Sequence, residues 1–495
     1  MTAKQFWIAF AILGAVSMVP IAVTEILPYL DYPNHLARAK VLAHYGENPF
    51  YAEFWRPAWA VLPNILTDLL LVAAAKVLPI TLAGRVVQGL IILTIGLGVA
   101  VARRELIGRY DALGFGGLLL AYGFPIQMAF LNFSLGVGLL LLLFALHVRL
   151  RERGSAGYLL AMVPGAIGLF LCHLMAFALF LIIVLAWEFG RGEPRARLQT
   201  LCRLGAASVI PAVLFLLSPT NGQVSGWVSS TPMVKLKAIP LSFSSGDLAT
   251  DLLFLALLVL MGWRVWKAKF RWDRSALTVL GLLFALFVVA PFGLGSTGNL
   301  DNRIPYVIGI LAITFLLPAN GDEPRTLRTS QLAGIVIGAL AVHAGMLGVV
   351  SWKRGRSIDQ ARAQIRTLPA GSLLFNAVDK AEPVWRFSTW NPPVPNLHTV
   401  ALIDGDVFPS GLFMIRGQQP LLMRSGLDAL YWARAGEGLQ PTELAREIAE
   451  NLRPLPQEIR RRPRFLMMCG PESVSPALEL FARGPRYAIY RLPSE

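Results

Sequence analysis

The chain has 495 residues, 55% of them hydrophobic and 15% charged. Ordinary soluble domains are about 25% charged, so a wholly soluble protein is excluded. The net charge of +15 does not indicate a nucleic-acid partner. Lys and Arg gather in short connections between apolar runs, the distribution by which membrane proteins keep cations on the cytoplasmic side.

The first apolar run, 6–29, is too long for the apolar core of a signal peptide, and no small-residue cleavage site precedes Asp31. It is expected to be an uncleaved span. Directly after it stands 'LDYPNHLAR'. An acid at a helix C-terminus opposes the macrodipole, so Asp31 is not an indifferent choice there. Pro33 stops the preceding helix. A new helix from Pro33 or Asn34 sets His35, Arg38 and Ala39 on one side, with Asp31 or Asn34 as its cap. Two compatible readings of Asp31 follow: the cap of an interfacial helix, and a general base at a membrane-surface cleft. Glu47, Glu53, Tyr51 and Trp55 occupy the rest of the loop 31–58, where aromatics anchor an interface or stack on sugar.

A span needs about 20 apolar residues. Further candidates are 59–78, 83–102, 112–130, 132–148, 156–172, 173–190, 203–218, 251–268, 275–293, 304–318 and 329–350. Basic connections at Arg103–Arg109, His147–Arg153, Arg191–Arg203, Arg264–Arg274 and Arg325–Arg328 are assigned to the cytoplasm. The connections between them carry almost no Lys or Arg, apart from Lys235, Lys237 and Arg303, and are assigned outside. Extended backwards, Lys4 lies inside and 31–58 outside, so 83–102 must run inward and 59–78 is one crossing too many. That segment also carries Asn64, Thr67, Asp68 and Lys76, which are costly in hydrocarbon. It is expected on the outer interface, leaving about 11 full spans. The alternative is that all the candidates cross.

After residue 350 the composition changes. 'GSLLFNAV', 'HTVALIDGDVF', 'RFLMMCG' and 'YAIYRL' are runs of strand length, and 'SIDQARAQIRTL' and 'PTELAREIAENLRPL' have helical spacing. The expected fold class is an all-α polytopic membrane domain over 1–350, with interfacial helices, followed by a small α/β soluble domain over 356–495. Parity places that domain outside, which in a bacterium is the periplasm.

The few cations outside are candidates for an anionic ligand. Arg303, in 'GNLDNRIPYVIG', sits at the outer mouth of 304–318 beside Asp301. It is either an exposed local ion pair, worth under ~1 kcal/mol, or a phosphate clamp, since a guanidinium fits phosphate oxygens in bidentate fashion. Lys235 and Lys237 in 'PMVKLKAIPLSF' are further candidates for the phosphate or for lipid headgroups, with His35 and Arg38 nearer to Asp31. His173 lies between 'GLFLC' and 'LMAFALFL' and marks an outer turn, as does Asn132 in 'AFLNFSLG'; either is a capping residue or a binding residue. 'LIDGDVFPSG', with Asp404 and Asp406, lacks EF-hand spacing and reads as a turn. Cys172, Cys202 and Cys469 are far apart and show no metal or redox spacing. There is no P-loop and no Gly-rich strand-to-helix turn, so no nucleotide site is expected.

The layout resembles the GT-C glycosyltransferases, polytopic membrane enzymes that take a sugar from a polyprenyl-phosphate carrier. That family has a catalytic aspartate in the first external loop, followed by interfacial helices, many spans and often a C-terminal periplasmic domain. Asp31 in 'LDYPNHLAR' matches by position, and 59–78 fits an interfacial segment. The paired Asp-Glu of some members is absent, because Tyr32 follows Asp31. The resemblance implies a polyprenyl-phosphate-linked sugar donor, a lipid, glycan or protein acceptor, Asp31 as general base and inversion at the anomeric carbon. The resemblance implies no certain cofactor, and a divalent metal, which only some members bind, stays open. A flippase of lipid-linked sugar, or a non-catalytic envelope assembly protein, is the alternative. Transport favours ionisable groups at mid-bilayer and repeat halves, neither of which stands out here.

Overall fold

The computed structural model describes residues 1–192, 194–223, 226–295, 297–318, 326–379, 394–470 and 476–493. Arg325, which opens the basic connection Arg325–Arg328, lies outside the described residues. The chain divides into two compact units. One comprises Met1–Ala22, Val61–Thr67 and Gln88–Val350, and the other Val23–Ala60, Asp68–Val87 and Ser351–Glu495.

The first unit is helical. Among the described residues of the whole chain, 8 helices are long and apolar enough to cross a membrane: Ala3–Ala22, Ile80–Ile107, Leu131–Leu150, Ser155–Cys172, Leu174–Arg191, Arg197–Leu217, Leu248–Lys267 and Gln331–Ile365. Shorter apolar helices cover Leu66–Ala75, Ala112–Gln127 and Arg274–Val289, and Leu300–Thr314 adds 15 residues. Small residues let helices approach closely. A Cβ on Gly98 would lie 2.8 Å from the Gly138 carbonyl oxygen, and one on Gly138 would lie 2.7 Å from the Thr94 backbone.

The segment 112–130 differs from the single helix its apolar run suggests. It is broken into Ala112–Phe115, Gly116–Leu120 and Phe124–Gln127. Pro125 stands in the first turn of Phe124–Gln127 and cannot continue a preceding helix, and the Gly123 backbone runs against Ser242, whose carbonyl oxygen would be 2.3 Å from any Cβ there. Backbone groups released by the break need partners, and two of them have one. Phe124 N–H donates to the Ser242 carbonyl at 2.9 Å, and the Tyr306 hydroxyl donates to the Ala121 carbonyl at 2.7 Å. The helix expected over 329–350 also differs, continuing as Thr326–Ile365, because 'SWKRGRSIDQARAQI' contains no proline to stop it.

The second unit contains the first loop and a six-stranded sheet. Strand Leu373–Asp379 is buried at every position, as a strand covered on both faces must be. It pairs in parallel with Arg464–Cys469 on one side. On its other side it pairs, also in parallel, with Phe408–Pro409 at its start and Ala433–Gly436 at its end. Arg464–Cys469 continues antiparallel to Tyr487–Leu492, which is antiparallel to Glu479–Gly484. Helix Pro441–Leu452 buries Leu444, Ile448 and Leu452 at i, i+4, i+8.

'HTVALIDGDVF' is not the strand its apolar run suggests. Val400–Asp404 is a helix, and only Phe408–Pro409 is extended. A short apolar run fits a buried helix turn as well as a strand, and tertiary partners decide. Lys40 Nζ donates to the carbonyls of Leu402 at 3.2 Å and Ile403 at 2.9 Å, satisfying oxygens that a helix end leaves unpaired. The loop 31–58 folds as helices Tyr32–His44 and Pro49–Phe54, then strand Trp55–Pro57, which pairs antiparallel with Leu421–Met423. The Trp55 ring stacks on Phe408 at 5.3 Å.

Candidate functional site

The candidate residues fall in two clusters, one in each unit. In the second unit, Asp31 occupies the cap position of helix Tyr32–His44, with Pro33 in its first turn. Its backbone is already helical (φ −94°, ψ 0°) and its side chain makes no capping bond; the Asp31 carbonyl accepts the His35 N–H at 3.1 Å. The half-buried carboxylate faces the C-terminal segment instead, where Asn396 Nδ2 donates to Oδ1 at 2.9 Å and to the Leu30 carbonyl at 3.1 Å. Asn34, expected as an alternative cap, is buried and accepts the Phe413 N–H at 2.7 Å.

One turn further on, His35 Nδ1 meets Arg38 Nη2 at 3.0 Å, and the imidazole stands edge-on to Phe413. Arg38 is only 1% exposed. Its Nε and Nη2 donate to Asp68 Oδ1 at 2.9 and 2.6 Å. Asp68, one of the residues that make 59–78 costly in hydrocarbon, is therefore charge-paired and equally buried. Burial pushes its carboxyl above the usual range, against the pull of the guanidinium.

Outward from this cluster the same unit is tied by ion pairs. Arg362 donates to Asp404 through Nε and Nη2, each at 2.7 Å, and to Glu25 at 2.8 Å. Arg366 reaches Asp404 at 3.0 Å. The hydrogen bond from Arg362 holds Glu25 below the usual carboxylate range. Burial would raise Asp404, but Arg362 and Arg366 bring it below that range as well. Asp406 accepts from Asn48 Nδ2 at 2.8 Å, so the 'LIDGDVF' acids are structural ties. Glu47 pairs with Lys76 and His44, and Glu53 with Arg462.

In the first unit, His173 caps helix Leu174–Arg191: its Nδ1 accepts the Met175 N–H at 3.1 Å. In a neutral ring this puts the proton on Nε2, which lies 3.1 Å from Arg303 Nη1. Arg303 is buried, with its guanidinium 4.1 Å from the Phe130 ring centroid and 5.3 Å from that of Phe133, and its Nη2 near the Gly298 carbonyl at 3.4 Å. Asp301 turns elsewhere, to Ser230 and to Lys235 at 3.6 Å. Lys235 donates to the carbonyls of Phe287 at 2.8 Å and Ala290 at 2.6 Å, at the end of helix Arg274–Val289, a lysine satisfying a helix C-terminus. Lys237 is exposed. Asn132 is structural in its contacts: Oδ1 accepts the Thr67 N–H at 2.8 Å and Nδ2 donates to the Asn64 carbonyl at 2.9 Å.

Sequence reasoning missed three participants. Phe130 and Phe133 flank Asn132 in 'AFLNFSLG', and an aromatic on either side of a polar turn was a usable signal. Asn396 lies in 'NPPVPNLHT', a stretch of turn-forming residues with nothing to mark one asparagine as special. Among the described residues no three His, Cys, Asp or Glu side chains converge as metal ligands.

No family model matches the sequence, and no curated protein matches it. Solved structures do. ArnT from Cupriavidus metallidurans bound to undecaprenyl phosphate superposes with a TM-score of 0.54 at 15% identity, over 99% of this chain and 98% of that one. The apo state of the same protein gives 0.55 at 14% identity over the same shares. The mycobacterial arabinofuranosyltransferase AftD gives 0.45 at 13% identity, over 100% of this chain and 40% of that one. From the first span to the last strand, the chain has the GT-C-like fold.

Proposed function

We propose that this chain is a membrane glycosyltransferase that moves a sugar from a polyprenyl-phosphate carrier to a lipid, glycan or protein acceptor at the periplasmic face of a bacterial inner membrane. The observation that carries the proposal is the match of the whole chain to the fold of ArnT, which binds undecaprenyl phosphate, together with a half-buried carboxylate, Asp31, where the first loop helix begins.

The chemistry needs little more than a base and a cation. The lipid phosphate is a good leaving group, and the acceptor hydroxyl is a poor nucleophile near neutral pH. Asp31 takes the hydroxyl proton as the acceptor oxygen bonds to the anomeric carbon. The bond from that carbon to the phosphate oxygen breaks, its electron pair leaves with the phosphate, and the configuration inverts. Arg303, with His173 Nε2–H beside it in the same unit, is the candidate for binding a lipid phosphate. A charge-assisted guanidinium contact stabilises the growing negative charge. Lys235 and Arg38 are each engaged by another partner, so neither is assigned to the phosphate.

The proposed topology has eleven crossings: the 8 long helices and the shorter Ala112–Gln127, Arg274–Val289 and Leu300–Thr314. Helix Leu66–Ala75 has 10 residues, about 15 Å at 1.5 Å per residue, half of a hydrocarbon core of about 30 Å. It is placed at the interface. An odd number of crossings puts the two ends on opposite sides; with Lys4 kept in the cytoplasm, the C-terminal sheet is periplasmic.

The test is Asp31→Asn in native membranes, scored for transfer of label from polyprenyl-phosphate sugars. Losing a general base costs about 10²–10⁴-fold, with yield and unfolding unchanged. Transfer at the wild-type rate removes Asp31 from the mechanism. A flippase would instead move labelled donor across vesicles of wild-type protein without consuming it.

A further inference from the structure

The carboxylate of Asp31 is held by a side chain from far along the sequence. Hydrogen-bond direction around it follows from a single backbone donor. The Phe413 N–H can only donate, so the Asn34 atom it meets at 2.7 Å is the amide oxygen. Asn34 Nδ2 then faces Asn396, which offers its own Oδ1 at 3.4 Å. That orientation leaves Asn396 Nδ2 for the Leu30 carbonyl at 3.1 Å and for Asp31 Oδ1 at 2.9 Å. Each amide is therefore assigned by its neighbours, and the chain of donors ends on the acid.

We propose that Asn396 is a positioning residue for Asp31: its amide holds Oδ1 and so fixes the carboxylate in the orientation from which it takes the proton of the acceptor hydroxyl. The inference rests on the reading of Asp31 as the base. The same amide grips the carbonyl of Leu30, the residue before Asp31, so backbone and carboxylate are fixed together and rotation about the Asp31 side-chain bonds is restricted. A donor at Oδ1 also favours the ionised form. Among the described residues, charged groups near the start of this helix include His35, whose Nδ1 faces Arg38, the Arg38–Asp68 pair, Arg85, which acts on Tyr32, and Arg354, which acts on Tyr29. The segment Val394–Thr399 thereby becomes part of the catalytic apparatus rather than a linker to the sheet.

The test compares the full chain in nanodiscs with Asn396→Ala, Asn396→Ser and Asn396→Asp. Two readouts are taken: transfer kinetics against pH with undecaprenyl-phosphate hexoses as donors, and labelling of Asp31 by dicyclohexylcarbodiimide, which attacks protonated carboxyls, followed by peptide mass spectrometry. Asn396→Ala is expected to raise the labelling midpoint by about one pH unit and to lower kcat about tenfold, with the donor KM unchanged. Asn396→Ser keeps a donor and recovers part of both. Asn396→Asp sets a second carboxylate against the first and raises the midpoint further. A merely structural asparagine would lower the unfolding temperature and leave the midpoint in place. An unchanged midpoint in the Ala and Asp variants overturns the proposal; if the Ala variant does not fold, an unchanged midpoint in the Ser and Asp variants overturns it equally. Retention of transfer by Asp31→Asn would refute the base and not the contact, because the labelling midpoint reads the contact directly in protein with intact Asp31.

Discussion

Removing the Asp68 carboxylate tests what holds the first-loop helix in place. Arg38 and Asp68 are each 1% exposed, and Arg38 reaches Oδ1 through two nitrogens at 2.9 and 2.6 Å. Asp68→Ala strands a guanidinium in the interior, and breaking a buried pair from one side costs about 3–5 kcal/mol. For a unit of about 200 residues, at about 2–4 °C per kcal/mol, the unfolding transition falls by about 10 °C. The pair is itself incompletely satisfied: Arg38 Nη1 and Asp68 Oδ2 find no hydrogen-bond partner among the described residues. Replacing both residues with apolar ones of similar size, Arg38→Met with Asp68→Leu, should therefore restore most of the loss, because neither desolvation penalty remains. The assay is thermal unfolding of full-length protein in detergent, followed by size-exclusion fluorescence. If Asp68→Ala unfolds within a degree or two of wild type, the pair is solvated and the reasoning fails. If the double variant is as weak as the single one, the pair supplies stability that apolar packing cannot replace, and the desolvation argument falls.

Further outcomes follow from the same contacts. Glu25 and Asp404 have folded pKa values below their unfolded ones, so their contribution is complete above about pH 4 and is lost as pH falls through the lower folded values; unfolding measured from neutral to acid should steepen there, and Arg362→Ala should flatten that limb. Arg303→Lys keeps the charge but loses the flat guanidinium set against Phe130, so donor KM should rise on the order of tenfold, with folded yield unchanged; an unaltered KM removes Arg303 from the phosphate. Lys235→Met removes two charged hydrogen bonds from a helix end and should cost about 1.5–3 kcal/mol with transfer per folded molecule intact, whereas Lys237→Met at its exposed position should stay within about 0.5 kcal/mol of wild type.

The helical portion was legible because spans announce themselves through composition alone, and the strands 'GSLLFNAV', 'RFLMMCG' and 'YAIYRL' through short apolar runs. What could not be read was backbone behaviour dictated by distant partners. The break near Gly123 was marked locally by Gly123 and Pro125, which stands in the first turn of Phe124–Gln127, but the carbonyl of Ser242 that receives the Phe124 N–H could not be read from the sequence. The helix Val400–Asp404 is stabilised by Lys40, more than 350 residues earlier, so its own residues look equally like a strand.

The candidate residues show the same division. Asp31 was visible because it follows the first apolar run, but the expected helix end is not there: the preceding helix stops at Ala22, and Asp31 stands where Tyr32–His44 begins. Lys235 stands out too, one of two lysines in the segment 219–250, yet its partners are the carbonyls of residues 287 and 290. Local oddity marks a residue that something must satisfy; it does not say whether that something is a ligand or the protein itself. The partners each group has found separate the cases. Lys235 gives its donors to two carbonyls and lies near a buried acid, which accounts for it without a substrate. Asp31 declines the capping bond its position offers and takes a side-chain donor that leaves its backbone role to the carbonyl. The Asp31 carboxylate makes no capping bond and takes the Asn396 amide, so its partners do not account for it as a helix cap, and the proposed Asp31→Asn assay decides whether it exchanges a proton.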